Sequence, residues 1–308
     1  MPAFRVPEPN SNRQSNSGLQ ARIAAHTKDG TGITLALGGG FSRGFAHLGV
    51  LEVLEQERLP ISRIVGTSIG ALLGAAYADG ISLSDLCELG RRVRVRDFLR
   101  FHPRESSPGE QRKDCIGKFV QTWFRAGSLE ELSIPTSIVA TDLDTGAPYV
   151  FSRGPIEVAI RASCAFPGLV KPVEHEGHLL ADGCIVAPVP TAIAARNNDG
   201  CVLGINVGIQ ENISGSPEDA VKIFDVKYRL SHRSSLEPSW SRYADLLVEP
   251  KVGHFEWSDF SRVDEAVAAG AEAMRTAIPF IREILARRQK QLHSAQSLPS
   301  RAERGLTL

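Results

Sequence analysis

Two short apolar runs, Ile33-Thr34-Leu35-Ala36-Leu37 and Ile61 to Val65, each lead into a turn and then into a segment with helical spacing. The first run enters Gly38-Gly39-Gly40, after which Arg43 to Gln56 places Phe45, Leu48 and Val53 at helical intervals. The second, interrupted by Ser62 and Arg63, enters Gly66-Thr67-Ser68-Ile69-Gly70 and then a helix of small residues from Ile69 to Ala78. Strand, turn, helix, repeated, predicts an α/β fold on a mainly parallel sheet.

Further strands are expected at Thr136–Ala140, Tyr149–Phe151, Lys171–His175, His178–Ala181, Val202–Val207 and Leu246–Glu249. Helices are expected at Pro155–Ser163, Val189–Arg196 and, longest, Val263–Gln291. Residues 82–126 read as mostly helical and carry Arg91, Arg92, Arg94, Arg96 and Arg100, either a cap over the sheet or a solvated face. Residues 1–28 are too poor in apolar side chains to offset the entropy of folding and read as a disordered tail. One domain over residues 29–292, followed by a flexible tail over 293–308, is the economical organisation.

Composition narrows the class without choosing the chemistry. A chain of 308 residues, 42% hydrophobic and 23% charged, can bury a large core. Its formal net charge of zero gives no reason to expect nucleic acid as a partner. Cys87, Cys115, Cys164, Cys184 and Cys201 form no Cys-x-x-Cys pair and no zinc-type cluster, which suits free thiols in a reducing compartment. Residues 1–20 show no apolar secretory core. The longest apolar stretch, Ile64 to Ala78, falls short of the roughly 20 residues a spanning helix needs. The expectation is a cytoplasmic, soluble chain. Arginines 91–100, or the basic residues Arg287, Arg288, Lys290, Arg301 and Arg304, offer peripheral contact with the inner face of a membrane.

Chemistry enters at the two turns. In Gly-x-Ser-x-Gly, a strand feeding a helix through a tight turn strains the central residue, and the flanking glycines remove side chains that would clash. Ser68 is then a candidate nucleophile, presented at a sheet edge beside a helix N-terminus. The Gly38–Gly44 loop could cradle a phosphate or aim N–H groups at an oxyanion. It lacks a Gly-x-Gly-x-x-Gly match, a Lys-Ser/Thr pair, and an acidic residue closing the second strand. Both turns also fall at the same edge of one sheet, which favours the oxyanion role over a nucleotide site. For the base, His232 and His254 lie late enough for a Ser-His-Asp arrangement, but neither stands in a context that positions it. Asp182, delivered by an apolar strand to Gly183, competes with Asp142 and Asp144, and an exposed turn aspartate is an equal alternative.

Together these segments resemble the patatin-like phospholipase family, in its bacterial branch related to neuropathy target esterase. The resemblance rests on Leu37 to Leu51, Val65 to Ala71, Ala140 to Gly146, Ala162 to Gly168 and Asp182-Gly183, in that order. It implies a three-layer fold with a mainly parallel sheet flanked by helices, and a Ser68–Asp182 dyad without histidine. It further implies oxyanion donors at Gly39 and Gly40, acyl esters of phospholipids or lysophospholipids as substrates, and no metal or other cofactor. Arg43 becomes a candidate contact for a lipid phosphate, with a structural tie to the sheet edge as the alternative. Two positions depart from the family pattern: Phe41 stands at a motif glycine, and Cys184 follows Asp182-Gly183 where Gly or Ala is usual. A Ser-His-Asp α/β-hydrolase esterase and a catalytically silent lipid-binding regulator are the competing readings.

Overall fold

The computed structural model describes residues 32–93, 115–167, 169–196, 200–208 and 239–296. In chain order its strands are β1 (Ile33–Leu37), β2 (Ile61–Thr67), β3 (Thr136–Asp142), β4 (Pro148–Phe151), β5 (Val173–His175), β6 (His178–Asp182), β7 (Cys201–Ile205) and β8 (Leu246–Val248). All join one sheet of mixed direction, ordered β5-β6-β3-β2-β1-β7-β8, with β4 also paired to β3. The run β3-β2-β1-β7-β8 is parallel, while β4 and β6 pair antiparallel with β3, and β5 with β6.

Alternation along the strands sends successive side chains to opposite faces. Ile33, Leu35 and Leu37 join Ile64, Ile138, Leu203 and Ile205 in the larger core. Ala36, Val65, Val139 and Val202 face the other way. The larger core is roofed by α1 (Ala46–Gln56), α2 (Ile69–Ala78), α3 (Leu83–Arg92), α4 (Cys115–Trp123) and α5 (Ile156–Ser163). The second face is covered by Ala187, Val189 and the short α6 (Thr191–Ala194). The last helix, α7 (Val263–Gln296), packs along α1 and supplies Val263, Met274 and Ile278 to the larger core. Helices therefore flank a mainly parallel sheet, giving the α/β layering that the strand–turn–helix pattern predicts.

The differences from expectation have local causes. The helix expected from Arg43 opens instead as a 3-10 turn over Phe41–Phe45, whose first residue takes a positive φ of 51°, before α1 begins. The helix expected over 189–196 contracts to Thr191–Ala194, with Pro190 as its N-cap, since the ring of Pro190 disfavours helical backbone at Val189. Strand β2 runs two residues further than expected, to Thr67, and carries pairing right up to the Ser68 turn. Helix α7 continues to Gln296, into the expected tail. The tail at 1–28, Arg94, Arg96, Arg100, His232, Arg301 and Arg304 lie outside the described residues. Among the described helices none is long and apolar enough to cross a membrane.

Candidate active site

Strand register brings the two chemistry-bearing turns together. Leu37 pairs with Gly66, Thr67 with Val139, and Ala140 with Asp182. Ser68 therefore leaves β2 one residue beyond the Thr67–Val139 pair, and Asp182 closes β6 on the far side of Ala140. Across this gap the Ser68 hydroxyl donates to Asp182 Oδ2 at 2.7 Å. Both residues are buried.

Ser68 has φ 54° and ψ −123°, a strained conformation for a residue with a side chain, and α2 starts immediately after it. The glycines around it make the close approach possible. A Cβ on Gly66 would lie 2.5 Å from Ala71 Cα, and one on Gly70 would overlap the Leu37 carbonyl oxygen. Ser163, fully buried at the end of α5, completes the mount. Its hydroxyl accepts the Ser68 N–H at 2.8 Å and donates to the Val139 carbonyl at 2.6 Å. Thr67 Oγ1 ties the preceding residue to Ala187 O at 2.8 Å.

Asp182 is held on every side. Its N–H donates to Ala165 O at 3.0 Å, and its carbonyl accepts Thr141 Oγ1 at 2.8 Å. Carboxylate Oδ1 accepts the Cys184 N–H at 2.8 Å, leaving Oδ2 for Ser68. Burial pushes the carboxyl from 3.8 up to about 6, outweighing the Cys184 and Ser68 hydrogen bonds that favour the charged form. A carboxylate ionised at neutral pH, yet more basic than an ordinary aspartate, thus faces the serine hydroxyl.

The glycine loop lies beside this pair. A Cβ on Gly39 would overlap the Cys184 sulfur and come within 3.2 Å of Ser68 Cβ. Its N–H, however, donates to Pro188 O at 3.0 Å, as Gly38 N–H does to Ile205 O. The N–H groups of Gly40 and Phe41 have no acceptor among the described residues. Of the two expected oxyanion donors, the Gly39 N–H is thus bonded within the fold and the Gly40 N–H has no acceptor among the described residues. His47 anchors the loop, with Nε2 bonded to Gly38 O at 2.7 Å. Full burial lowers its pKa to about 4, so the ring is neutral and Nε2–H is the donor.

A strained serine is thus bonded to a buried aspartate beside a glycine loop. The model for "Patatin-like phospholipase" matches residues 35–195, from β1 through α6. The chain belongs to the patatin-like phospholipase family. An uncharacterized NTE family protein of Mycobacterium tuberculosis is 40% identical over 190 residues, covering 61% of this chain and 52% of that protein. Mouse patatin-like phospholipase domain-containing protein 6 is 28% identical over 296 residues, covering 84% of this chain and 21% of that protein. The chain thus spans about half the mycobacterial relative's length and about a fifth of the mouse protein's. Among solved structures, VipD from Legionella pneumophila aligns with a TM-score of 0.45 at 12% identity, over 82% of this chain and 67% of that one.

In this member of the patatin-like phospholipase family the other candidates occupy different positions. Asp142 is buried, but its oxygens accept from Thr145 Oγ1 at 2.9 Å, the Asp144 N–H at 3.0 Å and His178 at 3.0 Å. Burial acts to raise its pKa, yet these hydrogen bonds prevail and hold it below the usual value. Asp142 is therefore a saturated turn carboxylate, and Asp144 is exposed in the same turn. His254 is exposed, with its ring against Phe255.

Arg43 is buried, and its guanidinium donates to Phe255 O at 2.8 and 2.6 Å, so it ties the loop to the segment before α7. Arg91 pairs with Asp264 and Glu88, Arg92 with Glu88, Arg287 with Glu283, and Arg288 with Asp245. Four of the five described basic residues named for a membrane contact are thus paired with carboxylates. Burial and the neighbouring Asp182 carboxylate push the Cys184 thiol well above its ordinary value, so it is held as a neutral thiol. Sequence reasoning had missed the roles of Ser163 and His47, although both lie inside segments that carry the family resemblance.

Proposed function

We propose that this chain is a serine hydrolase that cleaves acyl esters of phospholipids or lysophospholipids through Ser68 and Asp182. The observation that carries the reading is the 2.7 Å hydrogen bond from Ser68 Oγ to an aspartate whose pKa burial raises to about 6. As Oγ attacks the ester carbonyl carbon, Asp182 Oδ2 takes its proton, so the charge passes from a stable carboxylate to the tetrahedral oxyanion. The free N–H groups of Gly40 and Phe41 are the donors proposed for that oxyanion, each worth about 3 kcal/mol in such sites. Collapse breaks the ester C–O bond, and Asp182 returns the proton to the departing alcohol. Water then repeats the sequence on the acyl-enzyme, with Asp182 again as base. None of these steps uses a metal or cofactor.

The test is hydrolysis of a panel of phospholipids, lysophospholipids and short-chain esters by wild type, Ser68→Ala, Asp182→Asn and Asp142→Asn. The reading expects Ser68→Ala and Asp182→Asn each to lose at least about a thousandfold in kcat. Wild-type rates in either would refute the dyad, and loss confined to Asp142→Asn would move the base.

A further inference from the structure

Phe41 is an unexpected residue for its place. With φ at +51° it occupies the left-handed region that favours glycine, so a bulky side chain is carried there against backbone strain. Its ring stands edge-on to Phe166 at 5.0 Å and to Trp257 at 4.9 Å between centroids. The three rings come from three separate segments: the loop after β1, the turn after α5, and the segment before α7. Phe41 and Trp257 are only half-buried, so the cluster keeps an accessible face.

The cluster is knit to both sides of the Ser68–Asp182 pair. Phe41 carries one of the two unbonded N–H groups of the loop and directly follows the other, Gly40. Phe166 directly follows Ala165, whose carbonyl holds the Asp182 N–H. Trp257 O accepts both the N–H of Ser42, at 3.2 Å, and its hydroxyl, at 2.8 Å. An ester carbonyl held at the Phe41 N–H would sit on the backbone of a residue whose own ring belongs to the cluster, which brings one of its substituents within reach of these rings. Packing the loop down would require no ring at position 41, because glycine would relieve the strain.

We infer that Phe41, Phe166 and Trp257 form an aromatic wall that binds the hydrocarbon chain of the acyl group and sets chain-length selectivity. The inference rests on the acyl-ester reading of the site. Each methylene removed from water against such a wall is worth about fourfold in kcat/KM. The experiment measures kcat/KM for water-soluble p-nitrophenyl esters from two to eight carbons, with wild type, Phe41→Gly and Trp257→Leu.

Phe41→Gly keeps the backbone conformation and removes the ring. The wall predicts that its eight-carbon to four-carbon selectivity ratio falls at least about tenfold, and that of Trp257→Leu about threefold, whatever happens to the absolute rates. A ratio within twofold of wild type in both variants overturns the wall while leaving the ester reading in place. Absence of hydrolysis of every ester by wild type overturns the reading and the wall together. If Phe41→Gly fails to fold by circular dichroism, Trp257→Leu and Phe166→Leu decide the same question by the same ratio.

Discussion

Ser163 grips Ser68 by its backbone: one hydroxyl accepts the Ser68 N–H at 2.8 Å and donates to Val139 O at 2.6 Å. It links the end of α5 to β3 and to the strained turn, where the positive φ of Ser68 costs about 1–3 kcal/mol and needs opposing contacts to persist. Removing it in Ser163→Ala leaves the buried Ser68 N–H without its acceptor and takes one donor from Val139 O, for a loss of about 1–3 kcal/mol in urea unfolding. Because the turn also loses its mount, kcat is expected to fall about tenfold with KM little changed. Equal rates at reduced stability would make Ser163 a purely structural residue.

Asp182 gives two pH signatures. Its folded pKa of about 6 lies above the ordinary 3.8, so ester hydrolysis should rise with pH through an apparent pKa near 6 and level off above it. For stability the sign is opposite to that of a salt-bridged aspartate. Below about pH 4 the carboxyl is protonated in both states and costs nothing; above pH 6 the folded protein carries a desolvated charge at a penalty of up to about 3 kcal/mol. Asp182→Asn should therefore be more stable than wild type at pH 7, and the gain should fade on acidification. Thermal melts at pH 4 and pH 7 check it; a loss of stability at pH 7 that fades in acid would mean the carboxylate is favourably solvated.

Asp142 should behave the other way. Its hydrogen bonds from Thr145, Asp144 and His178 hold the folded pKa below the unfolded value, so they stabilise the protein above that value and less as pH falls through the folded pKa. Asp142→Asn should lower the melting temperature at pH 7, converge with wild type in acid, and keep its hydrolytic rate.

Gly39 and Cys184 compete for one space. Gly39→Ala places a methyl group onto the Cys184 sulfur and should reduce stability and kcat together. Adding Cys184→Gly clears the overlap but leaves the 3.2 Å approach to Ser68 Cβ, so rescue should be partial. A double variant no better than Gly39→Ala alone would place the damage in the backbone rather than in this contact.

The sheet was readable from the chain because its strands are short apolar runs that end in glycine turns, as at Leu37–Gly38 and Val65–Gly66. Asp182 stood out from its own strand-and-turn setting as a candidate base beside its rivals Asp142 and Asp144, and the family resemblance singled it out as the partner of Ser68. Their residue types and turns mark them as candidates, but the register that puts both beside Ala140 depends on pairings 42 to 72 residues apart along the chain. Asp142 and Asp182 look alike in sequence, each an aspartate at a strand end. Only the partners separate them: a turn that saturates one, and a buried hydroxyl and one N–H for the other. Arg43 and the Gly39 N–H show the same limit, since their acceptors, Phe255 O and Pro188 O, lie far along the chain.

The most direct measurement of the central claim is covalent labelling with a fluorophosphonate, followed by intact mass and peptide mapping. The account predicts a single adduct on the peptide carrying Ser68, absent from Ser68→Ala and formed at least about a hundredfold more slowly in Asp182→Asn. An adduct on another residue, or labelling of Asp182→Asn at the wild-type rate, would contradict it.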